Sequence, residues 1–241
     1  MTVEPDPQPA RETLLRPVRL GNAFEDTVGR LLETIRLGVL APGESLPPER
    51  ELATRLGVSR DTVREAIKSL SEAGYLVSRR GRYGGTFLAD DLPAPSGDGV
   101  RFSRADIDDT LRLREVLEVG AARMAAGRTL TAAERETLWS RLRDVRGAAL
   151  EDYRRLDSRL HLAIAEAAGV PSLVPLVAEN RMRLNELLDH IPLLARNIVH
   201  SDEQHDAIVM AILAGDADGA AETMTAHVWG SASLLHGFLD S

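Results

Sequence analysis

The chain has 241 residues, no cysteine, 44% hydrophobic and 27% charged side chains, and a formal charge of -8 from 29 Lys and Arg against 37 Asp and Glu. That length accommodates one large domain or two modest ones with ordinary cores, and the lack of cysteine excludes disulfides, thiolate nucleophiles, zinc fingers and cysteine-bound clusters. No stretch is apolar for long enough to cross a bilayer, and the opening run MTVEPDPQPARETLLRPVRL has acids and prolines where a signal peptide needs a basic start and an apolar core, so cytoplasmic residence is expected.

The first predicted element spans residues 23–38, where Phe24, Val28, Leu31, Leu32 and Ile35 recur at helical spacing until Pro42-Gly43 stops the pattern. Pro48 then opens a short helix carrying Leu52, Ala53 and Leu56, which Gly57 ends. Ser59 is placed to cap a second helix over 60–73, with Val63, Ala66, Ile67 and Leu70 on its apolar face. Beyond Gly74, the β-prone runs Tyr75-Leu76-Val77 and Thr86-Phe87-Leu88 flank the basic, glycine-rich RRGRYGG, which predicts a hairpin with at least five loop residues.

Pro, Gly and Ser concentrate between Leu92 and Ser103, the expected linker between a domain at 18–91 and another at 104–237. The second part has helical spacing throughout, with predicted helices over 107–126, 132–149, 151–168, 172–188, 202–213 and 219–235. The expected fold class is therefore a small α+β winged helix-turn-helix followed by an all-α helical bundle. The charge deficit lies in that bundle: residues 1–90 hold 13 basic and 13 acidic side chains, residues 91–241 hold 16 and 24. Within 41–89, basic residues outnumber acidic ones by 8 to 6, so the overall charge still permits an anion-binding first domain.

The segment LPPERELATRLGVSRDTVREAIKSL has the scaffold helix, glycine turn and polar-headed second helix that helix-turn-helix binding to DNA requires. Arg60 and Arg64 are four apart on one face and can reach phosphates and base edges together, Thr62 can add a hydroxyl or methyl contact, and Ser59 caps the helix that presents them. Arg50 can reach the backbone or a groove edge, while Arg79, Arg80, Gly81 and Arg82 form a basic wing suited to a phosphate backbone or minor groove. The plainer alternative is that these arginines are solvated charges, Arg60 and Arg64 being partly paired with Asp61 and Glu65. Asp61 itself can repel phosphate, cap the helix, accept from a cytosine amino group or orient Arg64.

These residues resemble the winged helix-turn-helix of the GntR family of bacterial transcription regulators, whose pattern this chain repeats as LPPERELA, GVSRDTVREA and RRGRYGGTFL. The resemblance implies operator contacts by Arg50, Arg60 and Arg64, assistance from Thr62, and minor-groove entry by Gly81 and its basic neighbours. Pro48 stands where that family commonly has serine, a departure that bears on a helix cap more than on a base contact.

In the second part, Asp157 and His161 share a helix face one turn apart, and His205 and His227 come from two later helices. Together they offer an oxygen and three nitrogens, a donor set for zinc or another borderline divalent ion. Read from the residues alone, the histidines can equally be core or surface hydrogen-bonding groups, and Asp157 can pair with Arg154 or Arg159. The runs LREVLE, DSRLH, EQHDAI and the later HV resemble the FCD domain of FadR-like GntR regulators. That resemblance implies metal ligation by Asp157, His161, His205 and His227, with nickel or manganese as alternatives to zinc. It also implies that Arg114 binds an effector carboxylate, with Asn180 and Arg183 as pocket-lining candidates; the alternative for Arg114 is an ion pair with Glu118. The expected protein is a homodimeric regulator, a repressor that binds a short inverted repeat of operator DNA and is released by a small organic acid. The other readings are a metal-responsive regulator and, against the lack of a nucleophile-base pair or HExxH, a metal-dependent enzyme.

Overall fold

The computed structural model describes residues 22–36, 40–79, 81, 84–93 and 102–239. The chain divides into two units: residues 1–100 with 194–196 and 233–241, and residues 101–193 with 197–232.

The first unit is built on α1 (Ala23–Arg36), α2 (Glu49–Leu56) and α3 (Arg60–Glu72), with the hairpin β1 (Leu76–Arg79) and β2 (Gly85–Leu88). The strands are antiparallel, with Leu76 opposite Leu88 and Arg79 opposite Gly85. Val28, Leu31, Leu32, Leu52, Leu56, Val63, Ala66, Leu70 and Leu88 are almost fully buried and form the small core that sets the three helices against one another. Pro48 stands at the N-cap of α2 with no side-chain cap bond, as its lack of a hydroxyl dictates. Gly57 closes α2 in the left-handed region at φ 68, a turn that would strain any residue with a Cβ, and the chain re-enters a helix three residues later. Ser59 Oγ accepts from the Thr62 amide at 3.0 Å and so starts α3.

Two features of this unit carry no local sequence signal. Residues 43–46 run along β2, with Leu46 N donating to Thr86 O at 2.8 Å and Leu88 N to Glu44 O at 2.9 Å. The final residues of the last helix, α10 (Ala217–Leu239), belong to this unit too, where Leu234, Leu235 and Phe238 are buried. A Cβ on Gly237 would lie 2.8 Å from Gly29 Cα, so the close crossing with α1 requires glycine at that point. Ser233 Oγ donates to the Asp26 carboxylate beside it.

The second unit consists of α4 (Arg104–Arg114), one turn of π-helix (Glu115–Val119), α5 (Gly120–Ala126), α6 (Ala132–Arg146), α7 (Leu150–Ala167), α8 (Leu173–Leu188), α9 (Ala195–Ala214) from residue 197 onward, and the body of α10. Ser103 caps α4, and Thr131 with Glu134 forms a reciprocal capping box on α6. Leu138, Leu142, Leu160, Ile164, Val177, Ile208, Val209 and Met224 make up much of one continuous core. Small residues line it where helices approach closely, as at Ala121, Ala122, Ala125 and Ala126 on α5. The predicted helix over 107–126 is interrupted by the π turn, and α9 starts seven residues before the predicted 202, because ARNIVHS has no apolar periodicity to announce it. Among the described residues, no helix is long and apolar enough to cross a membrane.

Candidate metal centre and nucleic-acid interface

Helices α7, α9 and α10 bring Asp157, His161, His205 and His227 together, with one ligand atom from each lying within 4.8 Å of the others. All four are buried, from 8% exposed at Asp157 to none at His205. The imidazole centroids are 4.5 to 5.4 Å apart. Asp157 Oδ1 is 3.1 Å from His205 Nε2 and 3.6 Å from His161 Nε2, yet neither nitrogen has an aligned hydrogen-bond partner among the described residues. Buried polar atoms left in that state are costly. A divalent cation resolves the cost by accepting lone pairs from all four side chains, and the donor set suits zinc or a metal of similar softness. The residues therefore fit such an ion.

Two guanidinium groups and a second carboxylate surround this cluster. Burial alone would raise Glu118, but Arg114, His161 and Arg181 hold it well below the usual carboxylate range. Asp157 is likewise held well below that range, because Arg181 and the histidines outweigh its burial. Arg114 is 1% exposed and donates from Nε to Glu118 Oε2 at 2.9 Å, while its Nη1 has no partner among the described residues. Arg181, equally buried, donates from Nη2 to Asp157 Oδ2 and places Nη1 3.5 Å from Glu118 Oε1. Burial and then the neighbouring cationic groups push His227 well below the ordinary imidazole value, whereas Asp157 and Asp202 raise His205 in spite of its burial.

The sequence candidates around Arg114 fare differently. Asn180 is buried and donates from Nδ2 to Thr110 O at 3.0 Å, tying α8 to α4. Arg183 is not brought to the cluster: its side chain is 53% exposed and pairs with Glu179. The residue that reaches the cluster from α8 is Arg181, two positions earlier, which sequence reasoning missed. Residues two apart on a helix face roughly 200° apart, and only the packing of α8 decides which arginine turns inward. Asp157 pairs with Arg181, not with Arg154 or Arg159.

In the first unit, α3 presents Arg60 and Arg64 on its exposed face, and Arg50 is exposed near the start of α2. Arg64 pairs with Asp61 at 2.9 Å and lies 3.5 Å from Glu49, so the second partner is an acid from α2 rather than Glu65. Arg50 and Arg60 form no ion pair among the described residues. The Ser59 and Thr62 hydroxyls are 2.8 Å apart and bonded to one another. Gly81 has a φ of 113, with no atom of the described residues within 4 Å of a Cβ placed on it, and Arg79 stacks over Phe87, 4.6 Å from the ring centroid. Arg80 and Arg82 lie outside the described residues.

Comparison with known proteins matches these two regions to two families. Residues 24–88 match the bacterial regulatory proteins of the gntR family, and residues 109–229 match the FCD domain. An Escherichia coli protein named as a candidate regulator of an L-lactate dehydrogenase operon is 32% identical, with 89% of this chain and 86% of that protein covered. The Bacillus subtilis transcriptional regulator LutR is 27% identical, covering 86% of this chain and 98% of its own length. The solved structure of E. coli McbR/YncC, at 20% identity, shares the fold with a TM-score of 0.51 over 90% of this chain and 97% of that one. These relatives are regulators of transcription, not enzymes. The helix-turn-helix with its hairpin, followed by a helical domain that buries one aspartate and three histidines, is thus that of a transcription regulator, and the chain belongs to the GntR family with an FCD domain as its second half.

Proposed function

We propose that the chain is a cytoplasmic, homodimeric repressor in which residues 18–91 bind DNA, 92–103 connect, and 104–237 bind the effector and dimerise. Each protomer places α3 in the major groove of one half of a short inverted repeat. Arg50, Arg60 and Arg64 contact phosphates and base edges with Ser59 and Thr62, and Arg80, Gly81 and Arg82 reach the adjacent minor groove. Asp157, His161, His205 and His227 hold one divalent ion, zinc in the first instance, with nickel or manganese as substitutes. When bound, that ion supplies a Lewis-acid point for an anionic oxygen.

Arg114 takes the carboxylate of a small organic acid, with Asn180 nearby on α8. The acid then favours a dimer geometry of lower operator affinity, which requires only that it bind the two geometries unequally. The observation that supports this reading most directly is a buried donor set of one aspartate and three histidines beside a buried guanidinium whose Nη1 has no partner among the described residues. The test is fluorescence anisotropy on DNA from the region upstream of the protein's own coding sequence, with zinc-loaded protein and a panel of small carboxylic acids. Loss of operator binding with one of them supports the reading, and no response to any acid overturns the effector assignment. A steep response to Zn2+ alone makes the ion itself the signal.

A further inference from the structure

Glu118 is not a member of the four-residue donor set, but three cationic or imidazole groups converge on it. Its Oε2 is 2.9 Å from Arg114 Nε and 3.0 Å from His161 Nδ1, and its Oε1 is 3.5 Å from Arg181 Nη1. It is 2% exposed and sits in the π turn, the one irregularity of the helix that runs from Arg104 to Ala126. Such turns occur often where a helix serves a site.

An ionised carboxylate can only accept hydrogen bonds. Of the two ring nitrogens of His161 it is Nδ1 that lies 3.0 Å from this acceptor, so a hydrogen on Nδ1 is the arrangement that Glu118 favours. In this conformation the two groups make a close approach and not a completed hydrogen bond. His161 Nε2 then presents its lone pair on the side of Asp157 Oδ1. Asp157 is divided in the same way, with Oδ2 on Arg181 and Oδ1 turned to the Nε2 atoms of His161 and His205.

We propose that Glu118 is a positioning residue: it fixes His161 for ligation through Nε2 and, through the same oxygen atom, ties that ligand to Arg114. A group that draws on Arg114 thereby acts on a metal ligand without touching the metal. This rests on the metal reading above, and the two can fail separately.

The experiment uses the full-length chain. In metal-free wild type, long-range 1H–15N spectra of the imidazoles are expected to show His161 with its hydrogen on Nδ1; hydrogen on Nε2 overturns the proposal whatever any variant does. Zn2+ affinity is then measured by competition with a chromogenic chelator. Glu118→Gln, whose amide can donate as well as accept, is expected to weaken Zn2+ by about 10- to 100-fold, the range typical of residues that orient a ligating histidine. Arg114→Gln is expected to change Zn2+ affinity in the wild-type background and to add nothing in the Glu118→Gln background. Unchanged Zn2+ affinity in Glu118→Gln, or equal effects of Arg114→Gln in both backgrounds, overturns it. A wild type that takes up no Zn2+, Ni2+ or Mn2+ overturns the metal reading and the ligation claim with it. If Glu118→Gln does not fold, the wild-type tautomer decides.

Discussion

On α3, Arg64 and Asp61 touch at 2.9 Å with 52% and 85% of their side chains exposed, whereas Arg114 and Glu118 touch at the same distance with 2% and 3% exposed. The chemistry and the helical spacing are nearly alike, and only the surroundings differ. In water such a pair is worth about 0 to 1 kcal/mol, so Arg64 can leave Asp61 for a phosphate or a base edge at little cost. In the interior, removing one partner leaves an uncompensated charge at a cost of roughly 3 to 5 kcal/mol. Exposed pairs therefore suit a surface that must exchange partners, and buried pairs suit a site that must hold its geometry.

The contrast is tested most severely at its buried end. Glu118→Ala leaves the Arg114 and Arg181 guanidinium groups buried together, and urea unfolding is expected to show a loss of about 3 to 5 kcal/mol. Next in size is the metal. Zinc retained after dialysis should fall from about one equivalent to none in His205→Ala, and the rise in thermal midpoint on adding zinc should vanish with it, a stabilisation of roughly 4 kcal/mol at a thousandfold excess over Kd.

Acid should act on the same cluster. Asp157 and Glu118 are held below their unfolded values, so the stability they confer is complete above the ordinary carboxylate range and is lost as pH falls through it towards the lowered folded values. Urea midpoints of metal-free protein should therefore drop on acidification from about pH 5 to pH 3, and drop less in Glu118→Gln. On the recognition surface, Arg60→Ala and Arg64→Ala are each expected to lose about 10- to 100-fold in operator affinity at fixed salt, with zinc uptake unchanged. Full, sequence-selective binding by both variants would remove base reading from α3. The smallest effect expected is on the stability of Asp61→Ala, within about 1 kcal/mol of wild type in the same urea experiment. A loss there as large as that of Glu118→Ala would erase the distinction between the two pairs.

Much of the fold was legible because its signals are local. Pro48 and Gly57 bound α2, Ser59 starts α3, and Asp157 and His161 declare a shared face by their spacing alone. The start of α9 was not legible, since Ala195 to Ser201 have no apolar stripe, and neither was the pairing of residues 43–46 with β2, which is made by backbone groups that every sequence has. In the site, the four candidate ligands could be named from motifs. Arg181 could not be preferred to Arg183, because both lie on one helix and only the packing of α8 buries the first and exposes the second. The role of Glu118 was hidden in the same way: its spacing announces a pair with Arg114 but says nothing of His161 or Arg181, which come from other helices.

The amino-acid sequence by itself determined the order of elements and which residues stand as candidates for DNA contact and for metal ligation, because periodicity, caps and residue type act within a few positions of the chain. Tertiary structure alone decided which charges leave water. Burial, not residue type, separates Arg64, whose pair with Asp61 stands in water, from Arg114 and Arg181, whose pairs with Glu118 and Asp157 do not. The strength of an ion pair is set by the dielectric around it, and that is a property of the packed chain.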